Sequence, residues 1–271
     1  MNAVLSIGAK AHAALKASGG RAHPLAQFPE APYFNAAGEI IWVGSRLPAR
    51  HPRAVLTGAP VLRGRVVSFA SLPREAWRAA LPPAARVASS AVLAACCRLI
   101  ALIDVVGGSR GDARGFGALL LGRAPVFPLD LAVARVNALA AAYRADDADA
   151  VYAASRALLG LGTGLTPSGD DLCGAALFGR RLVSRDARWR CIGERLAGDA
   201  QSASHAISAA LFADLAEGAS FESLHALADA LVAGDDAAAI ETSRALAALG
   251  HSSGWDMLAG FVIGVTGKLS A

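Results

Sequence analysis

The stretch Leu161-Gly162-Thr163-Gly164-Leu165-Thr166-Pro167-Ser168-Gly169-Asp170-Asp171-Leu172 decides how the second half of this 271-residue chain is organised. It lies between an Ala-rich segment ending at Leu158-Leu159 and a long apolar one, so it reads as a turn joining two helices. Gly162 and Gly164 let the backbone take positive φ and bring consecutive N–H groups to one side, the geometry of an anion-binding nest. Thr166 can cap the next helix with Pro167 at its first position, or Ser168 and Asp171 can form a capping box with Asp in place of Glu. Either register aims a helix N-terminus, with free donors and partial positive charge, at the glycine turn. Gly162, Gly164, Thr166, Ser168 and Gly169 are therefore the expected contacts of a small anion.

Asp170 and Asp171 have two readings. In a first helical turn carboxylates favour the dipole, a contribution of about 0.3–1 kcal/mol each when exposed. Alternatively they hold a divalent metal, Mg²⁺, that bridges to a ligand phosphate. The pattern lacks the Lys of a P-loop and is not an ordinary nucleotide-binding turn.

A second turn, Leu249-Gly250-His251-Ser252-Ser253-Gly254-Trp255-Asp256-Met257, echoes the first. Ser253-Gly254 with Asp256 matches Ser168-Gly169 with Asp171, Gly264 matches Gly179, and Ser243-Arg244-Ala245-Leu246 matches Ser155-Arg156-Ala157-Leu158. The second copy lacks part of the glycine turn. This suggests a degenerate duplication whose two turns converge on one pocket, with His251, Ser252, Ser253, Gly254 and Asp256 as its second wall. His251 can exchange a proton near neutral pH, although a His before a capping Ser is more often a hydrogen-bonded turn residue. His205, among serines in a predicted helix, is a weaker candidate.

Outward from these turns the pattern is helical from Pro82-Pro83 onward. Helices are expected at 86–105, 129–143, 148–159, 168–184, 188–213, 221–233, 235–249 and 254–268. The segment Gly107-Gly108-Ser109-Arg110-Gly111-Asp112, followed by Gly115-Phe116-Gly117, reads as a long connection or a second ligand loop. Before Pro83 the chain carries strand-like Ile40-Ile41-Trp42-Val43, Ala54-Val55-Leu56-Thr57 and Arg65-Val66-Val67-Ser68-Phe69, with Asn35-Ala36-Ala37-Gly38 as a turn. The expected fold is α+β: a β-rich module over 1–83, then a mostly helical part over 84–271. Arg46, Arg50, Arg53, Arg63 and Arg65 gather in the first module, as a solvated strand edge or a carboxylate-binding face.

Composition narrows the function classes. A 54% hydrophobic fraction supplies ample core. The net charge of +4 is mild and the arginines are scattered, which argues against nucleic acid and suits small acidic ligands. Cys96, Cys97, Cys173 and Cys191 contain no C-x-x-C pair, and with no signal peptide at the start they fit a cytoplasmic protein. The most apolar stretch, Ala91 to Val106, is interrupted by Arg98 and Asp104, so it reads as a buried helix and no membrane span.

The two motifs, Gly162-x-Gly164-Leu165-Thr166-Pro167-Ser168-Gly169-Asp170-Asp171 and Gly250-His251-Ser252-Ser253-Gly254-x-Asp256-Met257-Leu258-x-Gly260, resemble the AllH family. That family is named for a subunit of the bacterial oxamate carbamoyltransferase of anaerobic allantoin breakdown. The β-rich beginning with Phe34-Asn35 and Gly38 follows the same order; Thr163 departs from the Pro often found there. The resemblance implies transfer of a carbamoyl group between carbamoyl phosphate and oxamate, giving oxalurate and phosphate or the reverse, together with companion subunits. It casts Asp170, Asp171, His251 and Asp256 in catalytic roles, with Asp170 and Asp171 as metal or substrate-orienting carboxylates. Two other classes compete: a stand-alone metal-dependent enzyme acting on a small phosphorylated or carboxylated metabolite, and a non-catalytic anion-binding partner in a complex.

Overall fold

The computed structural model describes residues 3–26, 33–47, 49–61, 64–107 and 113–269. The chain divides into two compact units, one made of Met1–Ala79 with Ser220–Glu222, the other of Ala80–Ala219 with Ser223–Ala271.

Among the described residues the first unit is a six-stranded mixed sheet with one helix. Its elements are β1 (Val4–Ile7), α1 (Ala9–Ala17), β2 (Arg21–Ala26), β3 (Tyr33–Ala36), β4 (Glu39–Gly44), β5 (Ala54–Thr57) and β6 (Val67–Ser68), in the spatial order β1-β5-β4-β3-β2-β6. Among these strands β4 and β5 pair in parallel and the other neighbouring pairs are antiparallel. Asn35-Ala36-Ala37-Gly38 forms the β3–β4 hairpin, with positive φ at Ala37 and Gly38 and the Gly38 N–H donated to Asn35 Oδ1. Ala11, Ala14 and Leu15 of α1 join Ile7, Phe34, Ile41, Val43 and Val55 in the core. The arginines do not share one face. Arg53 is buried on Glu39, Arg50 is held by Glu222, and Arg46 and Arg65 are exposed. Arg63 lies outside the described residues, as do residues 108–112 of the expected connection or second ligand loop.

The second unit holds α2 (Ser89–Ala101), α3 (Ile103–Gly107), α4 (Val133–Arg144), α5 (Ala148–Arg156), α6 (Ser168–Val183), α7 (Ala187–Ala203), α8 (Ala206–Glu217), α9 (Glu222–Ala233), α10 (Asp236–Ala247) and α11 (Ser253–Thr266). Two single helices of the sequence reading are pairs. The stretch 86–105 breaks at Leu102, and 188–213 breaks at Ser204, whose extended backbone places His205 as the N-cap of α8. Residues 129–132 form a 3₁₀ turn before α4. Among the described residues no helix is long and apolar enough to cross a membrane.

At the centre α6 and α11 lie side by side and parallel, and glycines set how close they come. A Cβ on Gly260 would stand 2.0 Å from the Leu172 carbonyl oxygen, and one on Gly264 1.9 Å from that of Ala176. Reciprocally, a Cβ on Gly179 would stand 2.6 Å from the Phe261 carbonyl oxygen. No side chain fits in those gaps, so the two backbones touch. Gly179 and Gly264 are the equivalent glycines of the two motif copies, so each copy presents the same residue to the other.

The duplication reaches back beyond the motifs. Asp147 caps α5 by accepting the Ala150 N–H, and Asp235 caps α10 by accepting that of Ala238, both at 3.0 Å. The preceding residues, Asp146 and Gly234, both have positive φ. Ser155 and Ser243 are both fully buried. Gly169 bonds the Leu161 carbonyl as Gly254 bonds that of Leu249. The copies diverge between the glycine and the Ser-Gly pair, where six positions separate Gly162 from Ser168 but three separate Gly250 from Ser253.

Candidate anion site

The parallel pairing of α6 and α11 brings both N-termini, and hence both turns, to one place. Thr166 Oγ1 and Ser253 Oγ are 2.9 Å apart, so the two turns meet. Gly162 and Gly164 have φ of 120° and 96°, outside the range comfortable for side chains. Thr163 and Gly164 are exposed, while Ser168 to Asp171 are buried. Among the described residues the backbone N–H groups of 162–166 have no carbonyl partner. The turn therefore presents unspent donors to solvent beside two helix N-termini, an arrangement that attracts anions.

Capping does not follow either expected register. The α6 N-cap is Pro167, with no side-chain cap, and Ser168 instead donates across to Asp256 of α11. Ser253 of α11 donates to Asp171 of α6, which also accepts from Thr166. The Ser and Asp of each copy thus bond to the Asp and Ser of the other, and the capping-box spacing is read between helices.

Asp171 and Asp256 are 5% and 0% exposed, and each keeps one enclosed oxygen, Oδ2, without a partner. Asp256 also accepts from Ser252 and, at 2.6 Å, from the Phe116 N–H. Burial pushes the Asp256 carboxyl up to about 7 against the lowering effect of these donors. Burial and then the neighbouring Asp256 hold Asp171 well above the usual carboxylate range.

Asp170 has a different task. Its Oδ1 accepts the Gly160 N–H at 2.7 Å and its Oδ2 accepts the hydroxyls of Ser204 and Ser208, the latter at 2.7 Å. Three donors of the scaffold occupy it, so it ties the turn to the α7–α8 junction. Among the described residues no group of three or more His, Cys, Asp or Glu side chains is placed to hold a metal ion. Gly169 and Gly254 are packing residues, each pressed on a carbonyl, of Leu158 and Leu246 respectively.

His251 points outward, its Nδ1 2.9 Å from Nη1 of Arg114. The neighbouring Gly115 has φ of 56°, and a Cβ there would stand 2.2 Å from Oδ1 of Asp256. Arg114, Gly115 and Phe116 therefore flank the site. In the sequence Gly115-Phe116-Gly117 reads as part of a long connection or of a second ligand loop, and nothing in spacing alone ties it to Asp256.

Residues 158–265 match the AllH family model. Its description is oxamate carbamoyltransferase subunit AllH, so the resemblance drawn from the two motifs holds over this range. The AllH match begins at Leu158, the residue on which Gly169 packs, and ends one residue short of the end of α11. It contains both turns, α6 and all but the last residue of α11, and leaves the strands of the sheet outside. No curated protein and no solved structure matches the chain.

A cavity of about 230 Å³ lies within the sheet unit, lined by His51, Leu56, Trp77 and the Arg50–Glu222 pair among others. It includes no residue of either AllH motif. Ion pairing already occupies Arg50 at its wall.

Proposed function

We propose that the chain is a subunit of a carbamoyltransferase complex of the oxamate and carbamoyl phosphate type, and that it binds a small anionic substrate at the meeting of the two turns. The observation that carries this reading is the Thr166–Ser253 contact, which sets an open glycine turn with unspent N–H groups beside two parallel helix N-termini. Such donors are fixed before the ligand arrives and need no reorganisation as charge builds on a phosphate or carboxylate. The AllH match supplies the reaction class and the implication of companion subunits.

In this reading Gly162, Gly164, Thr166 and Ser253 contact the anion, and the outward Arg114–His251 pair adds positive charge at the second turn. Asp170 shapes the turn. A divalent cation enters with the substrate phosphate, because Asp170 is already consumed by the scaffold.

Calorimetry with carbamoyl phosphate, phosphate and oxamate, with and without Mg²⁺, tests the reading. The purified chain binds at least one of them, and Thr166→Val with Ser253→Ala weakens that binding about tenfold. Equal affinity in wild type and double variant removes the site.

A further inference from the structure

The cavity of about 230 Å³ in the sheet unit has no part in the carbamoyl-transfer reading, and every residue that lines it belongs to that unit. Most of its wall is apolar. Leu47, Ala54, Leu56 and Trp77 line it, and Leu47, Leu56 and Trp77 are only half-buried, so apolar surface stays uncovered there. Gly8 lines it without a side chain, since a Cβ would stand 2.2 Å from the His51 carbonyl oxygen. Backbone bonds fix these walls. The Trp77 N–H donates to the Ile7 carbonyl at 2.8 Å, the Ala9 N–H to that of Trp77 at 2.9 Å, and the Gly8 N–H to that of Ala54 at 2.8 Å. An apolar cavity of about 150 Å³ takes a benzene ring, so this one has room for a ring with polar substituents.

One side of the cavity is polar. Ser6 contributes a hydroxyl, and Arg50 and Glu222 contribute an ion pair. Arg50 donates its Nε–H to Glu222 at 2.9 Å and an Nη2–H to the other carboxylate oxygen, while the Glu222 N–H donates to the Arg50 carbonyl at 2.9 Å. The pair is therefore held in place before any ligand arrives. Two of the five guanidinium N–H groups are spent on Glu222, and the other three have no partner among the described residues. Each carboxylate oxygen keeps a further lone pair. The pair thus offers donors and acceptors side by side with no net charge. A carboxylate or phosphate entering here meets Glu222 as well as Arg50, and a hydrocarbon leaves the polar side unmatched. A neutral group with C=O beside N–H matches both partners.

We propose that this cavity is a second binding site, for a small uncharged ring compound with an amide edge. The ligand's N–H donates to Glu222 and its C=O accepts from Arg50, while the ring lies against Leu47, Leu56 and Trp77. The site is independent of the carbamoyl-transfer reading and does not need it.

The test is NMR titration of the full-length chain with 2-pyridone as the probe, beside benzoate and toluene, which are of similar size but carry a charge or lack a polar edge. 2-Pyridone is expected to bind with a Kd of about 1 mM, the range open to so few atoms, and to shift the amides of Ser6, Leu56, Trp77 and Glu222. Benzoate and toluene bind about tenfold more weakly. Leu47→Trp fills the cavity and weakens 2-pyridone binding about tenfold. Glu222→Gln leaves the Arg50 charge uncompensated, so benzoate binds it about tenfold more tightly than it binds the wild type. No shift with 2-pyridone near its solubility limit, or shifts elsewhere in the chain, overturns the site. Benzoate that binds the wild type as tightly as 2-pyridone, or binds Glu222→Gln no better than wild type, overturns the uncharged amide-edge class.

Discussion

Gly169 and Gly254 occupy the same position in two copies of one structure: a Cβ on either would stand 1.9 Å from a carbonyl oxygen, of Leu158 in the first copy and Leu246 in the second. Each glycine lets the chain entering a central helix press on the segment before the turn, just past the end of α5 in the first copy and in the last turn of α10 in the second. Substituting Ala at either forces backbone apart at a buried crossing, and the cost is about 3 kcal/mol. Chemical denaturation of Gly169→Ala and Gly254→Ala checks this. Similar losses in both are expected, and a silent Gly254→Ala would show that the second copy is not held as the first is.

Asp170→Ala acts through stability. It strands the Gly160 N–H and two serine hydroxyls, and removing a buried, hydrogen-bonded carboxylate costs about 3 kcal/mol or more. Thermal unfolding should show the loss. Asp170→Asn, which keeps one acceptor, recovers part of it. A direct metal ligand would instead lose cation-dependent binding at unchanged melting temperature.

Gly164→Ala separates strain from collision. Nothing lies within 4 Å of a Cβ there, but φ of 96° is unfavourable for any side chain. Gly162→Ala adds a clash, since its Cβ would stand 2.7 Å from the Ser168 nitrogen. Gly164→Ala therefore costs about 1 kcal/mol and lowers phosphate affinity, while Gly162→Ala costs more. Both effects are read by denaturation and calorimetry on the same preparations.

Stability falls as pH rises through neutrality. In the unfolded chain Asp256 ionises in the ordinary carboxylate range, whereas in the fold it does so at about 7. Between those values the folded state binds the extra proton, so its stabilising effect is complete below the unfolded pKa and is lost as pH climbs through the folded one. Asp171 shifts in the same direction. The melting temperature is expected to be higher at pH 5 than at pH 8, and Asp256→Asn to flatten that slope. A melting temperature that rises from pH 5 to pH 8 would contradict the burial argument.

Much of this was legible in the residues. Glycine spacing announced the turn, and short identities announced the echo, because both are local. The partners were not. Ser168 and Asp171 stand at capping-box spacing, yet their bonds go to Asp256 and Ser253 in the other copy. The Asp170 partners Ser204 and Ser208 are far away in sequence. Arg114 and Phe116 reach the site from a segment with no motif of its own. In the sheet unit β1, β2, β3 and α1 escaped the reading. They are short, α1 is alanine-rich without a capping side chain, and β2 contains Pro24, a residue that argues against a strand.

The most direct test of the central claim is an amide-resolved NMR titration of the purified chain with phosphate and carbamoyl phosphate. The account predicts shifts concentrated at Gly162, Thr163, Gly164, Thr166 and Ser168, with a second set at Ser252 to Gly254 and at Arg114. Shifts confined to the cavity around His51 and Trp77, or none at saturating ligand, would contradict it.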